Sequence, residues 1–204
     1  MSDKFSITKQ RMEALTDGVF GVAMTILILE VKVPDIANRA DVGALLQVFR
    51  QNADMVITYF LSFAMLGLFW IWHHRLASKV RAINLPLLLW SLTFLAFICM
   101  FPFAAAVFGR YVLAGNVAGL LIYLPTVFFI LFSQTMYFRT AMNMGLLNDD
   151  IPLRERRSAH RHNLLWTGLF TLSCVPAAMA AGRTAIAGVA AIAIALLWRA
   201  FVWR

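Results

Sequence analysis

The chain has 204 residues, of which 61% are hydrophobic and only 14% charged, and it carries a formal charge of +8. A soluble domain holds about a quarter charged residues, so this composition excludes a surface that faces water throughout and leaves no room for a separate soluble domain. The basic excess does not read as a nucleic-acid footprint, which gathers cations on one exposed face; here they fall in short stretches between apolar runs, and no nucleic-acid partner is expected.

Taken in chain order, the apolar runs predict an all-α membrane protein with six transmembrane helices, spanning about residues 12–33, 54–74, 85–109, 112–138, 162–182 and 184–203 of a single unit, 1–204. A run of roughly 20 apolar residues crosses a hydrocarbon core about 30 Å thick. The first run has charged flanks and lacks a small-residue cleavage site, which reads as a retained span rather than a removed signal peptide. Between Asp17 and Glu30, however, only the twelve residues Gly18 to Leu29 are uncharged, or roughly 18 Å of helix. That is short for a span surrounded by lipid, and intramembrane acids face protein or a water-filled cavity. The segment is therefore expected in the protein interior with wetted ends.

Within it, Val22, Ile26 and Leu29 are spaced i, i+4 and i+7 and share one helix face. Thr25 lies beside them, and Gly18 and Gly21 permit close approach of a neighbouring helix. Packing alone also explains such a stripe. Arg11 and Asp17, six residues apart, point to different sides of a continuous helix and are expected to find partners on other helices. Thr16 reads equally as an N-cap with Asp17 favoured by the helix dipole.

Val42, Leu45, Leu46 and Phe49 recur at helical spacing among polar residues, which fits a short amphipathic helix at the membrane interface or one packed on the protein. The second span ends in Trp70, Trp72, His73, His74 and Arg75. Arg110 marks a tight hairpin between the third and fourth spans, and Gly182 and Arg183 one between the last two. His160 and His162 fall in a basic loop, read as a solvated linker with Asp149, Asp150 and Glu155. Pro102, Pro125 and Pro176 lie inside spans, where neighbours satisfy the freed backbone groups.

Orientation follows from the basic residues. With the N-terminus inside, Lys4, Lys9, Arg11, Arg75, Lys79, Arg81, Arg139, Arg154, Arg156, Arg157, Arg161, Arg199 and Arg204 are cytoplasmic, which is 13 of the 18 Lys and Arg. Lys32, Arg39, Arg50, Arg110 and Arg183 lie outside, and both termini are cytoplasmic. Cys99 and Cys174 sit in apolar runs, against a disulfide framework. Four histidines are too few for the metal clusters of a membrane desaturase, and no nucleophile elbow, zinc motif or phosphate-binding glycine loop is present. No enzyme, metal or cofactor is expected. A carbonyl filter of the Thr-Val-Gly-Tyr-Gly kind and an arginine ladder are also missing.

The first helix resembles the potassium-channel family of transmembrane protein 175. That family's signature of Arg, a spacer and Phe-Ser-Asp is similar to Arg11 followed by Leu15-Thr16-Asp17, with Leu and Thr in place of Phe and Ser. The runs Asp17 to Thr25 and Leu29 to Pro34 are similar too, as are Phe69-Trp70 with His73-His74, and Phe101-Pro102-Phe103 with Gly109-Arg110-Tyr111. Ser91 stands where an asparagine is often found. The resemblance implies a homotetramer in a bacterial inner membrane, its central pore lined by the first helix, with constriction rings at Val22, Ile26 and Leu29 and Thr25 helping selectivity. Permeant ions would be K+ and other monovalent cations. On this reading Glu30 and Asp35 make a negative outer mouth, and Arg11, Thr16 and Asp17 brace the inner end against Trp70 and His73 or His74. An apolar neck offers few oxygens to replace hydration, so only a moderate preference for K+ over Na+ is expected. The alternatives are a proton-conducting or proton-coupled transporter using Asp17, Glu30 and the histidines, and a non-conducting scaffold.

Overall fold

The computed structural model describes residues 8–31, 42–51, 53–112 and 114–179. These residues are all-helical: α1 (Lys9–Ile26) with a 3-10 turn at Leu27–Glu30, α2 (Val42–Gln51), α3 (Ala53–Ala77), α4 (Leu85–Val107), α5 (Leu120–Asn143) and α6 (Leu153–Met179). Four stretches are long and apolar enough to cross a membrane: Lys9–Glu30, Met55–Ala77, Leu85–Val112 and Leu120–Asn143. The fifth expected span, 162–182, is described only as far as Met179, within α6, and the sixth, 184–203, lies outside the described residues.

α4 and α5 form the centre of the bundle, and α1 packs against α4 and α3. α4 starts where Asn84, in an extended conformation, accepts a hydrogen bond from the Leu87 amide at 3.1 Å, satisfying one of the unpaired donors at a helix start. Its buried residues Leu87, Ser91, Phe94, Ile98, Phe101 and Ala105 recur every three or four positions; from Phe94 onward they share one core with Tyr123, Val127, Ile130 and Leu131 of α5, while Leu87 joins Tyr137 and Phe138 in a second. Apolar burial between helices gains little over apolar lipid, so close packing does the holding. Stacked rings contribute to it, as with Phe97 and Phe129, whose centroids are 4.8 Å apart. Buried hydroxyls are satisfied within their own helix: Thr16, Ser91, Thr126 and Thr135 each donate to the carbonyl four residues back.

Three expected boundaries move. Arg110 is not a hairpin turn: α4 runs on through a π turn, Phe108–Val112, and the chain reverses at Gly115. Val112 is fully buried and Gly109 lies against Thr58, so this extra turn belongs to the core. Gly115, at φ 91°, adopts the left-handed backbone that glycine supplies at least cost. The basic stretch containing His160 and His162 is not a loop; it forms the start of α6, held by the buried Ala159. Thr16 is no N-cap, because α1 already begins at Lys9.

The loops at this end of the bundle are tied together. Arg81 N donates to the Leu146 carbonyl and Asn148 N to the Lys79 carbonyl, both at 2.9 Å, around the bridge between Val80 and Leu147. Lys79 pairs with Glu155, and Arg81 with Asp149 at 2.8 Å.

Candidate functional site

α1 has two unlike sides. Met12, Thr16, Phe20, Ala23 and Leu27 are buried against the bundle, with Phe20 beside Phe94 at a centroid distance of 5.9 Å. On the other side Val22 is 59% exposed, Ile26 42% and Leu29 73%. The segment is therefore covered by its own subunit on one side only. It is also longer than the apolar count suggests: α1 with its 3-10 turn covers 22 residues, Lys9–Glu30, because helix continues through the charged flanks that the count left out.

The bare side differs from the other exposed faces. Phe60, Phe63 and Trp70 of α3, and Leu89, Leu92 and Phe103 of α4, are bulky residues of the kind that suits lipid. Beside its apolar stripe α1 also presents Gly18 and Gly21, at which an added Cβ would meet nothing within 4 Å. It also presents the exposed Thr25, whose hydroxyl turns back onto the Gly21 and Val22 carbonyls at 3.0 and 2.9 Å. Small residues on a membrane helix let another backbone come close.

At the opposite end from the 3-10 turn, the signature residues divide into two arrangements. Trp70 Nε1 donates to Asp17 Oδ1 at 2.8 Å, tying α1 to α3, and His74 stacks on the Trp70 indole at 5.7 Å. His73 is buried, stacked on Phe94 at 4.5 Å and 11°, with its Nδ1 2.8 Å from Gln134 Oε1 of α5. Thr16, Asp17, Trp70, His73, His74 and Ser91 line one recess, together with Lys9 and Glu13, which pair at 3.7 Å. Arg11 is exposed, and its side chain has neither hydrogen bond nor ion pair among the described residues.

Gln134 is the residue the sequence reading missed. Its signal was present: Ser133, Gln134 and Thr135 interrupt an apolar run, and a buried amide requires partners. Its Nε2 is buried without one among the described residues.

Glu30 does not join the exposed stripe. The 3-10 turn winds more tightly than an α-helix and carries Glu30 away from Leu29, into a crevice lined by Thr58, Tyr59 and Ser62 of α3 and Pro102 of α4. Asp35, assigned with it to an outer mouth, lies outside the described residues. Among those residues no group of three His, Cys, Asp or Glu could hold a metal.

Residues 11–102 match the sequence model of the family described as "Endosomal/lysosomal potassium channel TMEM175". The chain is 33% identical over 110 residues to a potassium channel of Chryseobacterium sp. (strain P1-3), covering 54% of each. It is 33% identical over 102 residues to one of Streptomyces collinus, covering 50% of this chain and 48% of that one. A bovine endosomal/lysosomal proton channel TMEM175 is 33% identical over 103 residues, but only 22% of its length is covered. The matched region thus spans about half the length of these bacterial relatives. Among solved structures, that of a TMEM175 homologue from Chamaesiphon minutus, described as a lysosomal potassium-selective channel, superposes with a TM-score of 0.82 over 95% of this chain and 98% of that one. At 20% identity this likeness shows a shared fold.

Proposed function

We propose that this chain, whose residues 11–102 match the TMEM175 family model, is an ion channel of that family rather than an enzyme, that it assembles as a homotetramer, and that it passes K+ through a central pore lined by α1. The observation that carries this reading is the bare, small-residue side of α1, which ends the subunit's own packing with Val22, Ile26 and Leu29 uncovered. Four copies facing one axis would cover that side and narrow to an apolar neck. Such a neck excludes water and blocks ions by dewetting until it widens.

Several features support the geometry. Asp17 anchors α1 to α3 through Trp70, and the buried side of α1 fixes its rotation about its own axis. Thr25 is the hydroxyl-bearing residue next to the neck, suited to contact a partly dehydrated cation. The neck has few oxygens, so selectivity for K+ over Na+ is moderate and follows potassium's weaker hydration. The protein lies in a bacterial inner membrane with both termini cytoplasmic, as the distribution of basic residues favours.

Purified protein in liposomes tests the proposal: K+ should run down its gradient with no coupled proton or solute. Flux that strictly requires proton movement would replace the reading with a proton-coupled one. That second reading has its own support in the recess where Glu13, Asp17, His73 and His74 meet, and mammalian relatives are described as proton channels. Absence of flux under every ionic condition would leave a scaffold.

A further inference from the structure

The end of the bundle where the loops are tied holds cations of two kinds. Lys79 and Arg81 have carboxylate partners, and Arg156 donates to the Ile151 and Asn148 carbonyls at 2.9 Å each. Close by on α6, Arg154, Arg157 and Arg161 are exposed, and none of their side chains has a hydrogen bond or ion pair among the described residues. Their spacing of i, i+3 and i+7 sets them on one stripe of the helix. With His160 of α6 and Met142 of α5 they line a recess of about 590 Å³.

Three adjacent guanidinium groups do nothing for the stability of an isolated helix, since like charges at this spacing repel. His160 brings no countercharge to them. Its Nδ1 is buried without a partner among the described residues, and burial, followed by the nearby Arg139 guanidinium, holds its pKa below the usual imidazole value. The recess is therefore electropositive, roomy and supplied with unused donors. Guanidinium groups match phosphate oxygens in pairs. The recess also adjoins the start of the apolar stretch at 162, the depth at which lipid headgroups lie, and basic pockets on the cytoplasmic side of membrane proteins take anionic headgroups.

We infer that this recess binds a phosphate group through Arg157 and Arg161, with Arg154 at its rim, and that the headgroup of an anionic phospholipid supplies that phosphate. Met142 offers an apolar wall for the glycerol end. The inference requires that the chain span a bilayer but not that it conduct, so its test reads lipid and not current.

Purified full chain in neutral detergent is offered phosphatidylglycerol or phosphatidylcholine, and retained lipid is counted by native mass spectrometry. Phosphatidylglycerol should be retained in preference. Retention should fall about tenfold or more in Arg157→Gln/Arg161→Gln, as expected for losing two charge-assisted pairs, and less in Arg154→Gln. Arg110→Gln, in the π turn that ends α4 at the other end of the bundle, should leave it unchanged. All four positions are exposed, and the spectra report whether each variant keeps the wild-type assembly. In a second arm inorganic phosphate alone is titrated. Binding that disappears in the double variant, with no preference between the lipids, upholds a phosphate site and makes free phosphate its source. Equal retention of the two lipids without phosphate binding, or retention unaffected by the double variant, overturns the inference.

Discussion

Trp70 Nε1 donates a hydrogen bond to Asp17 Oδ1 at 2.8 Å, joining α1 to α3 across 53 positions of sequence. This bond, with the buried Phe20 and Ala23, decides which side of α1 is turned away from the subunit. Trp70→Phe keeps the ring and removes the donor. A hydrogen bond to a charged group contributes about 1.5–3 kcal/mol; this pair is exposed, so a loss below that range, about 1 kcal/mol, is expected. Thermal unfolding in detergent should show a lower midpoint for Trp70→Phe, and Asp17→Asn, which retains an acceptor oxygen, should lose less. A larger loss in Asp17→Asn than in Trp70→Phe would mean that the charge and not the bond holds α1.

The uncovered stripe predicts the behaviour of Ile26. Replacing it with asparagine in a tetrameric pore puts four amides into the apolar neck and wets it. K+ flux into liposomes from Ile26→Asn should exceed wild type by about tenfold, the effect of lowering a barrier by about 1.4 kcal/mol. The same substitution at Leu92, an exposed position on α4, should leave flux near wild type. An unchanged flux in an intact Ile26→Asn tetramer would remove this side of α1 from the pore.

His73 and Gln134 form a buried polar pair between α3 and α5. Gln134→Leu strands a ring nitrogen in the interior, which costs about 1–3 kcal/mol. Adding His73→Phe removes the stranded group and preserves the stack on Phe94. The double variant should therefore be more stable than Gln134→Leu alone, a coupling readable from a double-mutant cycle. Additive losses would show that the two side chains do not interact.

Gly109 supports α3 against the π turn that ends α4. An added Cβ would fall 2.9 Å from Thr58 Oγ1 and 3.2 Å from Thr58 Cβ, too close to be relieved by a side-chain tip alone. Gly109→Ala should cost about 1–3 kcal/mol through overpacking, and Thr58→Ala in the same chain should restore most of it. A wild-type midpoint for Gly109→Ala would show that α3 and the π turn have room for the methyl group.

Much of this was legible in the residues. Periodicity grouped Val22, Ile26 and Leu29, and apolar run lengths located α3 and α4 to within a few residues, whereas the span expected at 112–138 begins well before α5, Leu120–Asn143. Run length misjudged α1, because Arg11, Glu13 and Asp17 are charged yet helical, and it ended α4 at Gly109 because Arg110 looked like a loop residue. The start of α6 was hidden for the same reason. Composition separates water from lipid, whereas helix formation depends on backbone hydrogen bonds that charged side chains leave intact.

The sequence by itself determined that the chain is helical and made for a membrane, that one stripe of the first helix is apolar, and that Arg11, Asp17, Trp70 and His73 are its unusual polar residues. Only the tertiary structure decided which side of α1 is bare, that Asp17 is held by Trp70 and His73 by Gln134, and that Glu30 turns into a crevice away from Leu29. The reason is physical. In a membrane the core and the solvent are both apolar, so hydrophobic pattern marks a helix face without telling protein from lipid or pore, and shape complementarity between helices makes that choice.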